Sequence, residues 1–176
     1  ALAQIWHKQI RCLLVGSDQG RDGFRKSLEK SAQRLKIEDA VHIVGECRDM
    51  PAAYMLADVV VSASTDPEGF GRVMVEAQAM GRPIIASDHG ASREIVRDGN
   101  TGWFFPPGDV RTLSERVAHA IQLSEEHRHR IAEEAIANAR KNFSLTPMCN
   151  ATLDVYQELL SKPVASAQVG TRPVGP

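Results

Sequence analysis

Residues Ala57–Ser87 read ADVVVSASTDPEGFGRVMVEAQAMGRPIIAS, and the fold turns on this stretch. A β-branched run, Asp58–Ala63, leads into a loop with one proline and two glycines. A helical pattern then runs from about Phe70 to Met80, and a second β-rich run, Pro83–Ser87, follows. A strand, a helix and a strand in this order make a crossover between parallel strands.

The same alternation extends on both sides. Upstream, Ile10–Val15 (IRCLLV) is a continuous apolar run of the kind that a buried parallel strand shows. A helix over Arg21–Leu35 follows, with Phe24, Leu28, Ala32 and Leu35 at helical spacing, then the strand Val41–Val44 and a short helix, Pro51–Leu56. Downstream lie a short helix near Ser92–Val96, a turn at Asp98–Gly102 and a small strand, Trp103–Phe105. Asp109 is placed to cap a helix over Val110–Leu123, and two more helices near Glu125–Lys141 and Pro147–Leu160 close the pattern. The expected fold class is α/β: a Rossmann-like, mostly parallel sheet flanked by helices. One domain is expected over residues 1–161, with a mobile tail over 162–176.

Composition excludes several classes. Of 176 residues 43% are hydrophobic, too many for a disordered chain, and 21 basic against 22 acidic side chains leave a net charge of −1. That balance gives no reason to expect nucleic acid or an anionic membrane as the main partner. No run approaches the roughly 18 apolar residues of a membrane span. Only 5% of residues are aromatic, so the core is expected from Val, Ile, Leu, Ala and Met. Cys12, Cys47 and Cys149 are odd in number and widely spaced, which reads as free, largely buried thiols of a reducing cytosol rather than a disulfide or metal site. The chain begins at Ala1, inside a helical pattern (Leu2, Ile5, Trp6), and is expected to be a piece of something longer.

In open parallel sheets ligands bind beyond the C-terminal strand ends, so chemistry is sought in the loops after Val15, Val44, Ala63 and Ser87. The loop Gly16–Gly23 has G-x-x-x-G-x-x-G spacing, which matches no phosphate-loop motif and reads as a flexible turn lining a pocket wall. The loop Ser64–Gly71 is richer. Two glycines allow close approach to the backbone, and the first helical N–H groups are free donors at a positive helix end. A phosphate is the natural occupant. Glu76 sits among Val73, Met74, Val75, Ala77 and Ala79 and is expected to be largely buried. It lies roughly 8 Å along the axis from the expected helix start, about the distance from a diphosphate to the ribose hydroxyls of the same nucleotide. Glu68, at the helix mouth, would face a sugar on the other side of the phosphates. Plainer readings stand beside these: Arg72 and Glu76 could form a helix-surface ion pair, and Glu68 could merely complement the dipole. The loop Asp88–Glu94 repeats the strand–glycine–helix design; His89 there reads as a hydrogen-bonded loop residue, and His127 and His129 as part of a solvated face.

The E-x7-E spacing inside PEGFGRVMVEAQAMGRPII resembles the donor-binding half of retaining glycosyltransferases of family 4, which have the GT-B architecture. The segments LLVG (Leu13–Gly16), VHIVG (Val41–Gly45), ADVVVSAS (Ala57–Ser64) and ASDHGASREIVRDGNTGWFFPPGD (Ala86–Asp109) follow the family's order, so the resemblance covers roughly Leu2 to Leu160. It implies a nucleotide-diphosphate sugar as substrate, no metal, no cofactor and transfer to a glycan or lipid acceptor with retention. Glu68, as the catalytic candidate, would hold donor-sugar hydroxyls, and Glu76 the ribose. Gly69, Phe70, Gly71, Arg72 and Val73 would meet sugar and phosphates. Gly45, Glu46 and Cys47 would line the base, with Gly16 and Gly90 on the pocket walls.

There are departures from the family pattern. The strand that ends in G-R and the lysine after it, which grip the diphosphate, are not in this sequence, nor is the N-terminal acceptor domain. Ala91 replaces a common glycine, and Arg72 a frequent aliphatic residue. The chain alone is therefore expected to bind nucleoside diphosphates weakly and not to catalyse transfer. A cytoplasmic location is implied, compatible with peripheral membrane association of the longer protein. Two alternatives are a sugar-nucleotide epimerase half-domain, which would need further acid–base groups, and a non-catalytic α/β nucleotide-binding module, which would leave Glu76 unexplained.

Overall fold

A computed structural model describes residues 1–5, 10–17, 20 and 22–161. The expected tail, 162–176, lies outside the described residues, as do Trp6 and positions 18, 19 and 21 of the loop after Val15. In chain order the elements are α1 (Leu2–Ile5), β1 (Cys12–Val15), α2 (Asp22–Arg34), a 3-10 turn (Glu38–Ala40), β2 (Val41–Val44), α3 (Met50–Leu56), β3 (Val60–Ser62), α4 (Arg72–Ala79), β4 (Ile84–Ser87), α5 (Ser92–Ile95), β5 (Gly102–Phe105), α6 (Val110–Ile121), α7 (Glu125–Phe143) and α8 (Leu145–Ser161).

All strand pairing is parallel, as the crossover pattern requires, but it falls into two ladders. β1 pairs with β2, Cys12 opposite Val41 and Val15 opposite Val44. The second ladder runs β3-β4-β5, with Val60 opposite Ile84 and Ile84 opposite Gly102. Among the described residues only β4 has a strand on each side and helices α4 and α6 against it, and all four of its residues are buried. β1 has one strand neighbour, and Leu13 is 46% exposed. The apolar run at Ile10–Val15 therefore does not mark a strand buried on both faces, because that state needs neighbours that β1 does not have among the described residues.

Side chains alternate across β4 and divide the core in two. Ile84 and Ala86 join Tyr54, Met74, Ala77 and Ile95 on the α4 face. Ile85 joins Trp103, Phe105, Ala120 and Ile131 on the α6–α7 face. Burying each of the large aliphatic side chains stabilises by roughly 1.5–3 kcal/mol. The core therefore does use aromatics: Trp103 and Phe105 anchor its second half, contrary to the expectation from composition.

Among the described residues side-chain caps fix three helix starts, with Asp49 accepting from Ala52 N–H at α3. Asp109 accepts from the backbone N–H groups of Arg111 and Thr112 at α6, as expected, and Ser124 accepts from His127 N–H at α7. A buried polar cluster ties α4 to α5 and α7. Gln78, fully buried, donates to the Ile95 carbonyl and accepts from Asn138 Nδ2 at 2.8 Å, while Asn138 also donates to Ile95 O at 2.9 Å. The three cysteines are free, but Cys149 on α8 is exposed and Cys12 and Cys47 are half-buried, so the thiols are less buried than expected. Burial still raises the Cys12 thiol above the usual range.

Candidate functional site

The sequence places its carboxylates and glycines at one end of the β3-β4-β5 ladder, and the structure explains how the loop holds them. Helix α4 starts at Arg72, two residues later than the periodicity suggested. Gly71 is the reason. It adopts φ 70° and ψ 56°, a left-handed conformation that costs a residue with a Cβ roughly 1–2 kcal/mol. A Cβ there would also run into the Met74 methyl and lie 2.9 Å from Glu68 Oε2. With the later start, Glu76 lies about one turn, roughly 6 Å, from the helix beginning rather than about 8 Å. Among the described residues no side chain caps this N-terminus; Met74 N–H turns back to the Gly71 carbonyl at 3.0 Å, and the N–H groups of Arg72 and Val73 stay available to a ligand.

Glu68 is fixed by its own loop. Ser64 Oγ donates to Glu68 Oε1 at 2.6 Å, and Ala91 N–H donates to the Glu68 carbonyl at 3.2 Å. Gly90, at φ 54°, permits this second approach: a Cβ on it would lie 2.9 Å from the Glu68 carbonyl oxygen. The loops after β3 and β4 thus form one wall.

Glu76 is less buried than the sequence implied, with its side chain 35% exposed. Met74, Ala77 and Gln78 point into the core, and Glu76 sits at the edge of that face. Both of its oxygens are engaged. Arg72 Nη2 donates to Oε1 at 3.0 Å and Tyr54 donates to Oε2 at 2.9 Å. The helix-surface ion pair of the plainer reading therefore exists, but Arg72 is 82% exposed, and such a pair is worth only about 0.3–0.5 kcal/mol. Each carboxylate oxygen keeps a second lone pair, so a vicinal diol can still be accepted. Tyr54 was missed from the sequence, which marked only a short helix over Pro51–Leu56. It is 6% exposed, and burial first, then the bond to Glu76, raises its hydroxyl well above the usual tyrosine range. It stays a neutral donor.

Gly16, Gly45, Glu46 and Cys47 occupy the matching end of the other ladder. Gly16 N–H donates to the Val44 carbonyl at 3.2 Å, which places the two strand ends together. Gly45 and Glu46 are exposed, and Cys47 Sγ contacts the carbonyl of Asp49, the residue that caps α3. Helix α3 carries Tyr54, so the segment expected near a base leads directly to the residue that orients Glu76. Phe70 is 52% exposed and packs edge-on against Phe143, with ring centroids 6.3 Å apart. Val73, 42% exposed, lies on the open side of α4.

His89 Nε2 meets the Ser64 carbonyl at 2.9 Å, as a hydrogen-bonded loop residue would. A small cavity of about 10 Å³ lies between Ser62, Ser64, Glu68, Ser87 and His89. A larger one, about 260 Å³, lies at the opposite ends of the strands among Asp58, Arg82, Pro83, Glu125 and Arg128. Arg128 there is already engaged by Asp58 and the Ile121 carbonyl, and although Gly81 lines this cavity, none of the loops that follow the strands does. The geometry that suits an anion is at the α4 end.

Comparison with known proteins shows the family and the architecture. The sequence model for the family described as Glycosyl transferases group 1 matches residues 1–138. A phosphatidyl-myo-inositol mannosyltransferase of Mycobacterium leprae is 35% identical over 150 residues, covering 84% of this chain and 38% of that protein. Among solved structures, a glycosyltransferase from Rickettsia africae superposes with a TM-score of 0.87 at 29% identity, covering 92% of this chain and 43% of the other. Anabaena Alr3699/HepE, crystallised with UDP-glucose, gives 0.82 at 30% identity, covering 89% and 43%. The chain spans less than half the length of each of these proteins, and its architecture is that of a GT-B glycosyltransferase half. The chain belongs to the group 1 glycosyl transferases.

Proposed function

We propose that this chain is the C-terminal, donor-binding domain of a retaining glycosyltransferase of family 4, and that it holds a nucleotide-diphosphate sugar along Glu68–Glu76. The observation that carries this is the uncapped start of α4, with Glu68 hydrogen-bonded at its mouth and Glu76 one turn inside. In this reading the base lies by Gly16 and Gly45–Cys47, and Glu76 accepts from the ribose hydroxyls. The diphosphate meets the N–H groups of Gly69–Val73, and Glu68 takes sugar hydroxyls beside Gly90. During transfer the bond from the anomeric carbon to the diphosphate oxygen breaks, the acceptor's hydroxyl oxygen bonds to that carbon on the same face, and the hydroxyl proton passes to the leaving diphosphate. The helix N-terminus and Arg72 meet the charge that develops on the leaving group, without a metal. The acceptor, a glycan or lipid, is bound by residues outside this chain, and the nucleotide-sugar-bound neighbour supports the donor class. The protein works on the cytoplasmic side. Among the described residues no helix is long and apolar enough to cross a membrane.

Calorimetry with UDP, GDP and ADP tests the reading, on the wild-type chain and on Glu76→Gln. At least one nucleotide should bind, and Glu76→Gln should weaken it by roughly tenfold through lost charged hydrogen bonds while thermal unfolding stays close to wild type. Binding by none of the three, or binding unaffected in the variant, would overturn it.

A further inference from the structure

We infer that His89 positions Glu68: its ring holds the Ser64 carbonyl, and the Ser64 hydroxyl in turn directs the Glu68 carboxylate. The partner of His89 Nε2, at 2.9 Å, is a carbonyl oxygen, which can only accept. The nitrogen facing it must therefore carry the proton. Ser64 Oγ, on the same residue, donates to Glu68 Oε1 at 2.6 Å. The other end of the segment is held from the same turn, since Ala91 N–H donates to the Glu68 carbonyl. The turn after β4 thus grips the 64–68 loop at both ends, once through the His89 side chain and once through the backbone.

The turn itself is tied by its own hydrogen bonds. Ser92 Oγ donates to the Ser87 carbonyl at 2.7 Å and sits 3.2 Å from His89 N–H, and Arg93 pairs with Asp88 at 2.7 Å. His89 Nδ1 is buried and makes no hydrogen bond with any described residue. A buried polar atom left in that state costs stability, so the local packing alone does not favour a histidine here. What the ring supplies is the reach of Nε2 to Ser64, across 25 residues of sequence.

The first test needs no nucleotide. Imidazole nitrogen NMR should find His89 protonated at Nε2, and hydrogen exchange should show the Ala91 amide protected by its bond to Glu68. His89→Ala should speed that exchange roughly tenfold, as loss of one partly buried hydrogen bond predicts. His89→Gln, whose amide nitrogen lies near the position of Nε2, should restore protection, and His89→Asn should not. Unchanged exchange in His89→Ala, or the Nδ1 tautomer, overturns the inference.

The second test rests on the donor reading and compares UDP with UDP-glucose. The affinity that glucose adds should fall about tenfold in His89→Ala and recover in His89→Gln, with UDP itself unaffected. Equal loss for both ligands, or no loss of the glucose increment, refutes a role directed at Glu68. If the wild-type chain binds neither ligand, the donor reading fails, and the exchange experiment still decides whether His89 holds the loop.

Discussion

Gly71→Ala separates the backbone requirement of the site from its packing requirement, because Gly108 provides a matched control. Both glycines have left-handed φ values, 70° and 78°. A Cβ on Gly108 meets nothing within 4 Å, whereas one on Gly71 meets the Met74 methyl and Glu68 Oε2. Gly108→Ala should therefore cost only the left-handed penalty, about 1–2 kcal/mol. Gly71→Ala adds overpacking against Met74, which is 2% exposed and cannot swing into solvent, worth roughly 1–3 kcal/mol more. For a chain of this length each kcal/mol lowers Tm by about 2–4 °C, so the two variants should differ by roughly 2–12 °C in thermal unfolding. Only Gly71→Ala should also weaken UDP-glucose binding, since its Cβ displaces the Glu68 carboxylate. Equal Tm losses, or a Gly71→Ala chain with full affinity, would refute the claim that a bare Cα at this position shapes the helix entrance.

Asn138→Ala removes the partner of buried Gln78 Oε1 and one donor to Ile95 O, and should destabilise by about 2–4 kcal/mol. A double-mutant cycle with Gln78→Ala should then show strong non-additivity in denaturant unfolding, and additive losses would count against a joined network. Tyr54→Phe removes a donor from Glu76 and should weaken nucleoside binding about 2–10-fold by calorimetry. Asp109 is held below the usual carboxylate range, chiefly by its bonds from the Thr112 hydroxyl and N–H. A lowered folded value means that the cap stabilises above the unfolded pKa of about 3.9 and fades as pH falls through the folded one. The Tm gap between wild type and Asp109→Ala should thus be full near neutrality and close in acid; a gap constant down to strongly acid pH would contradict the assignment.

Most of the frame was legible because it rests on local signals. The strands at Val60–Ser62 and Ile84–Ser87 are β-branched runs, the entry to α4 is marked by glycines, and Asp109 announces α6. The errors arose where partners are remote. Glu76 looked buried because its neighbours are apolar, but side chains two residues apart on a helix face different ways, and Met74 and Gln78 took the inward positions. Gln78 and Asn138 are 60 residues apart, and nothing in either helix pattern reveals that they satisfy each other. The same holds for Tyr54 with Glu76 and for His89 with Ser64. Sequence periodicity locates an element and its apolar face, but which polar atom meets which across the sheet is set by the packing of the crossovers.

The most direct measurement of the central claim is amide NMR of the chain titrated with UDP-glucose. The donor site predicts shifts concentrated at Gly69–Val73, the 88–92 turn and Gly45–Cys47, and reduced shifts in Glu76→Gln. Shifts confined to the cavity around Asp58, Arg82 and Arg128 at the opposite strand ends, or none at saturating ligand, would contradict it.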